Sequence, residues 1–198
     1  SMAAAPWALG AAALAGGVLL ALRWPWQWRL AGAPLLLPLL LWQAPRPAPG
    51  QFELLAADVG QGNAVIVRTA RHTLVYDAGP RYSLESDAGH RVLVPLLRAL
   101  GERVDMLVLS HRDSDHTGGA AAVLAQQPQA QLIGSIEDEH HLQTLRPVQP
   151  CVAGQQWQWD GVDFAVLHPL ATDVASGQRS RNPNSQSCVL RISTPQGA

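Results

Sequence analysis

Charge is spread so unevenly along this chain that two different materials must share it. Residues 1–50 hold three charged side chains, Arg23, Arg29 and Arg46, together with five of the seven Trp. Residues 51–198 hold the remaining 11 basic residues, all Arg, and all 15 acids, for a net of −4 within a total of −1. An uncharged apolar stretch suits hydrocarbon, and a stretch rich in ion pairs suits water, so the sequence predicts a membrane part followed by a water-soluble domain. The near-neutral total excludes a polybasic nucleic-acid-binding arm. A composition of 47% apolar and 15% charged residues excludes a disordered chain. Two Cys exclude a disulfide-dense scaffold and a Cys-rich zinc module.

Residues 1–22 carry no charge, a length that can cross a bilayer as a helix. Arg23-Trp24-Pro25-Trp26-Gln27-Trp28-Arg29 follows, with the Trp and Arg clustering of a helix leaving hydrocarbon for the headgroups. Residues 30–45 are again uncharged but contain Pro34, Pro38 and Pro45. Membrane segments are therefore expected over about 3–22 and 30–44, within residues 1–45. Ala12/Gly16 and Ala13/Gly17 place small residues four apart, for close helix packing. A signal peptide and a buried soluble helix are the weaker readings, because the positive charge follows the apolar run and does not precede it, and residues 3–22 have no polar face. If both stretches span, the positive-inside rule puts Arg23 and Arg29 in the cytoplasm and the soluble domain on the opposite face. Pro45 to Gly50 reads as a stiff Pro-rich linker, residues 46–50. Ser1-Met2 reads as a fragment's start, with more membrane protein expected upstream.

Residues 51–198 alternate short strand-like and helical runs. Phe52–Asp58, Ala64–Arg68 and His72–Asp77 read as strands of a meander. Arg91–Leu100 has helical spacing and stops at Gly101. Val104–Leu109 is continuously apolar, as a strand buried on both faces would be. Ala120–Gln126 reads as a helix. Gln156–Asp160 and Val162–Leu167 flank Asp160-Gly161, a hairpin-turn pair. Cys188–Ile192 reads as a last strand. The class is α/β, with loops at strand ends.

The chemistry concentrates in Ser110-His111-Arg112-Asp113-Ser114-Asp115-His116-Thr117-Gly118-Gly119, directly after the buried strand. His111, Asp113, Asp115 and His116 offer imidazole and carboxylate donors suited to Zn²⁺, Mn²⁺ or Fe. In an extended segment His111 and Asp113 share one side, and Asp115 and His116 are free to serve a second centre. Two such ions can hold a phosphoryl group between them. Gly118 and Gly119 remove side chains that would block a ligand and leave a helix N-terminus facing it. The competing reading, a polar turn whose carboxylates cap the next helix, accounts for one acid but not for the set of four.

Here the sequence resembles a known family. His111-x-Asp113-x-Asp115-His116 is similar to the second motif of the metallo-β-lactamase superfamily, His-x-His-x-Asp-His, with Asp113 in place of the middle His. That variant resembles the C-terminal domain of ComEC-type competence proteins, as do Asp58-Val-Gly-Gln-Gly62, Tyr76-Asp77-Ala-Gly-Pro80 and Asn184-x-x-Ser187-Cys-Val-Leu-Arg191. Those are multi-pass membrane proteins that import single-stranded DNA in natural transformation. The resemblance covers residues 51–198 and implies an αββα sandwich, of which this chain would supply the N-terminal half. It implies a metal-dependent hydrolase, a DNA phosphodiesterase or nuclease, with one or two divalent ions, Mn or Zn. Carried over residue by residue, His111 and Asp113 would hold one ion and Asp115 and His116 the other. Asp77 would orient the ligand loop, and Asp115 would also orient the attacking water. Asn184 and Ser187 would meet the substrate phosphate or replace a ligand, with Gly118, Gly119 and Asp58 bordering the substrate. The implied partners are single-stranded DNA, the membrane, other competence proteins and further copies in a homo-oligomer. The implied place is the inner (cell) membrane. Asp113 in place of His shifts preference from Zn²⁺ toward Mn²⁺. Asn63 stands where many relatives have Asp. The family's later Gly-Asp motif would lie beyond Ala198, so these residues alone are expected to bind metal weakly and turn over little.

Two other classes stay open on the residues alone: a non-catalytic DNA- or partner-binding module, and a membrane-tethered metallo-hydrolase of a small substrate. His168 reads as structural before it reads as a ligand. Glu137 to His141 reads as a solvated charged face, and His72 and His90 as surface residues. Gly60-Gln61-Gly62 is a tight turn, not a nucleotide fingerprint. Cys151 and Cys188, 37 apart, read as small core residues, with a disulfide open to them only in an oxidising compartment. The domain's charge repels a polyanion, so metal cations and Arg81, Arg112 and Arg181 would have to offset it. Trp157 and Trp159 alternate on a strand; one face of a hairpin is the commoner use, base stacking the rarer.

Overall fold

The computed structural model describes residues 5–137, 139–175, 183–195 and 197. The chain divides into two compact units, Ser1–Pro45 and Arg46–Ala198.

In the first unit, α1 (Trp7–Ala21) follows Pro6, α2 is Trp26–Leu30, and α3 (Ala33–Leu40) carries Pro38 inside it. Among the described residues no helix is long and apolar enough to cross a membrane. The helix expected over 3–22 has 15 residues, a length of about 22 Å against the ~30 Å of a hydrocarbon core. Pro6 and Pro25 bracket the region and limit it. The stretch expected over 30–44 breaks at Gly32, leaving the eight-residue α3. The small residues pack α1 against the start of α3: a Cβ on Gly16 would stand 2.5 Å from the Gly32 carbonyl oxygen.

The second unit is a sandwich of two sheets with helices on one outer face. One sheet has the order β1-β2-β3-β6-β7-β8, built from Glu53–Ala56, Val65–Arg68, Thr73–Tyr76, Met106–Leu109, Gln131–Gly134 and Gln149–Pro150. β1, β2 and β3 pair antiparallel; β3, β6, β7 and β8 pair parallel. The short hairpin β4–β5 (Arg81–Ser83 and Ser86–Asp87) leaves the end of β3. A π-helical turn, Gly89–Leu93, then runs into α4 (Val94–Leu100), which ends at the left-handed Gly101. α5 is Ser114–Thr117, α6 Ala120–Gln126, α7 Leu142–Leu145 and α8 Ala171–Ala175. The second sheet, β9 (Gln156–Trp159), β10 (Val162–His168) and β11 (Val189–Ser193), is antiparallel with β10 central.

β6 explains why its sequence is apolar without alternation. Leu107 and Leu109 face a core with Leu93, Leu97 and Val123, whereas Met106 and Val108 face Phe164 and Val166 of the other sheet. Both faces are covered, as a parallel inner strand requires. Asp160 (φ 52°) and Gly161 (φ 82°) both take the left-handed region, as a two-residue primed hairpin turn demands. Trp157 stacks on Phe164 with ring centres 5.2 Å apart, so this Trp pair edges the inter-sheet core.

The two sheets are clamped at both ends. At the end where β3 starts, Asp160 Oδ2 accepts from Thr69 Oγ1 (2.7 Å) and the Arg71 amide (2.7 Å), and Oδ1 accepts from Arg71 Nε (2.9 Å). Its side chain is 1% exposed. Burial would raise its pKa, but these bonds and His72 outweigh that and hold the carboxyl well below the usual range. His72 is thus not a free surface residue: Nδ1 lies 3.2 Å from Asp160, and its ring stacks on Trp159 at 4.9 Å. At the other end Cys151 and Cys188 are joined by a disulfide, with Cα atoms 5.8 Å apart. Reading them as unpaired core cysteines is corrected: they are buried, but sequence distance hid a pair that the sheet packing brings together.

Candidate metal centre

β6 delivers Ser110 and His111 to the end of the sheet, beside the end of β3 where Asp77 lies. Asp77 is fully buried and holds φ 59°, a strained conformation for a side-chain-bearing residue of the kind functional sites retain. Its Oδ1 accepts from the Ser110 amide (2.7 Å). Its Oδ2 accepts from Ser110 Oγ (2.9 Å), Asn63 Nδ2 (3.0 Å) and His116 Nδ1 (2.7 Å). Ser110 Oγ also lies 2.9 Å from His111 Nδ1. With its own proton given to Asp77, Ser110 accepts one from His111, so both imidazoles carry hydrogen on Nδ1 and turn Nε2 outward.

Those outward nitrogens meet carboxylates. His111 Nε2 is 3.4 Å from Asp113 Oδ2, and His116 Nε2 is 3.5 Å from Asp115 Oδ2. The imidazole rings stand 4.1 Å apart. His111 Nε2 is buried with no hydrogen-bond partner, although its ring is otherwise fixed. A lone pair aimed at a carboxylate calls for a cation or a proton between them. The pKa of His116 is raised chiefly by the hydrogen bond to Asp77, against its burial, with the charges of Asp77, Asp115 and Asp113 adding. Asp113 occupies the N-cap of α5 but makes no capping bond, so helix capping does not account for it. The imidazoles lie inside and the Asp113 and Asp115 carboxylates at the rim, 41% and 52% exposed.

The residues present therefore fit a divalent ion in donor chemistry. As the side chains stand they face one another in two pairs, and among the described residues no group of three converges on one point.

The other residues singled out from the sequence fall in different places. Ser187 Oγ is 3.5 Å from His111 Nδ1, behind the imidazole. Asn184 is exposed on the turn Pro183–Gln186. Asp58 is exposed, and its Oδ1 accepts from the Gly60 amide (3.3 Å). Gly118 and Gly119 do not clear room for a ligand: backbone fills the space. A Cβ on Gly118 would stand 2.2 Å from the Arg81 nitrogen, and one on Gly119 2.3 Å from the Ala78 oxygen. Their smallness lets the ligand loop lie against the segment that follows Asp77. Arg112 pairs with Glu137, so its charge is already engaged. Arg81 donates to the carbonyls of Ser83 and Leu84, and Arg181 lies outside the described residues. His168 gives Nδ1 to the Ser187 carbonyl (2.9 Å). The His140 and His141 rings lie 4.4 Å apart, tilted by 35°. Sequence reasoning gave Ser110 and Asn63 no role; for Ser110 its place next to His111 was the available signal, whereas Asn63 reaches Asp77 only through the fold.

Comparison with known proteins bears on the family and the fold. Residues 57–170 match the model of the family described as "Metallo-beta-lactamase superfamily". The chain is 33% identical, over 77% of its length, to "Uncharacterized protein YcaI" of Escherichia coli, and 39% identical, over 68%, to "Competence protein ComA" of Neisseria gonorrhoeae. It spans 18% and 17% of the length of those relatives. A metallo-beta-lactamase from Cronobacter sakazakii, mutated in its HARLDQ motif, shares the fold with TM-score 0.50 and 20% identity. That match covers 76% of this chain and 59% of the other.

Proposed function

The chain belongs to the metallo-beta-lactamase superfamily and is of the ComEC type, and on that premise we propose that residues 46–198 form a metal-dependent phosphodiesterase domain acting on DNA, in a membrane DNA-uptake protein. The observation that carries the reading is the buried, unpartnered Nε2 of His111, aimed at Asp113 beside the matching pair His116 and Asp115. His111 with Asp113, and Asp115 with His116, would hold the ions. A bound divalent ion supplies Lewis acidity to a phosphoryl group and lowers the pKa of water. Asp77 and Ser110 keep both imidazoles in the metal-binding tautomer. Asp115, the more exposed carboxylate, faces the side from which water and substrate arrive. Ser187 braces His111 from behind, and Asn184 is left on the surface to meet a phosphate. Asp113 in place of His favours Mn²⁺ over Zn²⁺.

We place the first unit at a membrane as well. Trp7, Leu14, Val18, Trp26 and Trp28 lie exposed on its helices, with Arg29 beside Trp28 at the end of α2. A paired α1 and α3 suits a membrane-embedded hairpin better than water. The disulfide supports an extracytoplasmic place for the second unit, because such bonds persist in oxidising compartments.

The test is cleavage of single-stranded DNA by the full-length natural protein with Mn²⁺, Zn²⁺ or chelator, beside Asp115→Ala. Metal-dependent cleavage that the variant loses is the expected result. A folded protein inert under every metal would overturn it and favour a binding module.

A further inference from the structure

We propose that the Cys151–Cys188 disulfide is a positioning element of the metal centre, fixing the segment 183–188 against the back of the His111 loop. The inference rests on reading His111 to His116 as that centre. The Cys188 amide donates to the Ser110 carbonyl at 2.7 Å. The Cys188 carbonyl accepts from the Tyr76 hydroxyl. Burial and the neighbouring Asp77 charge push that hydroxyl up to about 12, which keeps it a donor. One residue earlier, the Ser187 carbonyl accepts from His168 Nδ1 and Ser187 Oγ approaches His111 Nδ1. Earlier still, the Gln186 carbonyl accepts from Ser135 Oγ.

This segment precedes β11, and the ladder beside it is irregular, with the register shifting between Val166 and His168. It is held by individual hydrogen bonds, each worth about 1 kcal/mol, and by one covalent bond. The far end of that bond is firm: the Cys151 amide donates to the Gly134 carbonyl (3.1 Å) at the sheet edge, and both cysteines are buried. Ser110 is where the anchor meets the chemistry. Its carbonyl takes the Cys188 amide, while its Oγ bridges Asp77 and His111. A shift of Cys188 therefore reaches the atom that sets the His111 tautomer.

The bond forms by thiol–disulfide exchange. The two thiols lose two protons and two electrons, the Cys151–Cys188 sulfur–sulfur bond forms, and a disulfide-bearing oxidant is cleaved to its dithiol. Oxidants of that class act outside the cytoplasm.

The experiment compares the 198-residue chain, purified without reductant, with the double variants Cys151→Ser/Cys188→Ser and Cys151→Ala/Cys188→Val. The apolar variant separates the covalent tie from the burial of hydroxyls. Alkylation in denaturant, read by mass, should find no free thiol in the wild type; two would overturn the proposal. Zn²⁺ affinity, by competition with a chromophoric chelator, should weaken about tenfold in both variants, the scale of losing a group that orients a ligand. Exchange of the Cys188-position amide should accelerate while β6 amides stay protected. Unchanged affinity and exchange in a folded variant would overturn it. These residues alone are expected to bind metal weakly, so if the oxidised wild type shows no measurable Zn²⁺ affinity, amide exchange alone decides the anchor, and the metal reading is decided by the full-length protein.

Discussion

Asp77 Oδ2 stands 2.7 Å from His116 Nδ1 across a separation of 39 residues, and the same oxygen takes bonds from Ser110 and Asn63. One buried carboxylate thus fixes the loop and one of its imidazoles. Asp77→Asn keeps the size and tolerates the left-handed backbone, but removes the charge. Metal affinity should fall about 10- to 100-fold, measured by chelator competition, with the fold intact by circular dichroism. A variant that binds metal as tightly as the wild type would remove Asp77 from this role.

Asp115 is the rim carboxylate paired with His116 Nε2. Asp115→Ala should cost about one bound ion per chain where both subsites fill, read by elemental analysis of the metal-loaded full-length protein. Unchanged metal content would withdraw Asp115 from the ligand set.

Gly118→Ala and Gly119→Ala each push a methyl into backbone, at 2.2 Å from Arg81 and 2.3 Å from Ala78. Neither neighbour is a flexible side-chain tip. Each should destabilise by about 3 kcal/mol, the upper range for overpacking, seen as a lower denaturant midpoint. Wild-type stability in both would mean the loops are not this close.

Gly16 and Gly17 are adjacent but opposite in effect. A Cβ on Gly16 meets the Gly32 carbonyl, whereas one on Gly17 meets nothing within 4 Å. Gly17→Ala should stabilise α1 by up to about 1 kcal/mol through helix propensity. Gly16→Ala should open the α1–α3 contact and lower the thermal midpoint of the unit in detergent. Equal effects would refute that packing.

Asp160 has a folded pKa depressed below its unfolded value. Its contribution to stability is therefore present above the unfolded pKa of about 3.9 and is lost as pH falls toward the folded one. Denaturant midpoints should drop on acidification below about pH 4, and Asp160→Asn should lack that component of the drop. Parallel acid limbs for the two proteins would contradict it.

Much of this architecture is legible in the residues. The unbroken run before Ser110 needs both faces covered, and β6 has them. Asp160-Gly161 can make a primed turn, and does. Four ligand-type side chains after a buried strand single out a candidate site from the sequence alone. What stayed hidden depends on distance through space. Nothing local in Cys151 or Cys188 announces a partner 37 residues away. Gly118 and Gly119 look like a ligand cradle until the chain after Asp77 is seen filling it. β4, β5 and β8 have two or three residues each and are set by their neighbours, not by their own pattern. The helix between Pro6 and Arg23 stops short of its uncharged run because proline, not polarity, sets its limits.

The disulfide also bears on the unfolded chain. It closes a loop across a separation of 37 residues that contains β9 and β10. Closing a loop of that size removes denatured-state entropy worth about 4 kcal/mol in the chain-entropy model. While the bond lasts, the smaller sheet cannot drift away from the edge of the larger one even in a denatured chain. Refolding then starts with the two halves of the sandwich already neighbours.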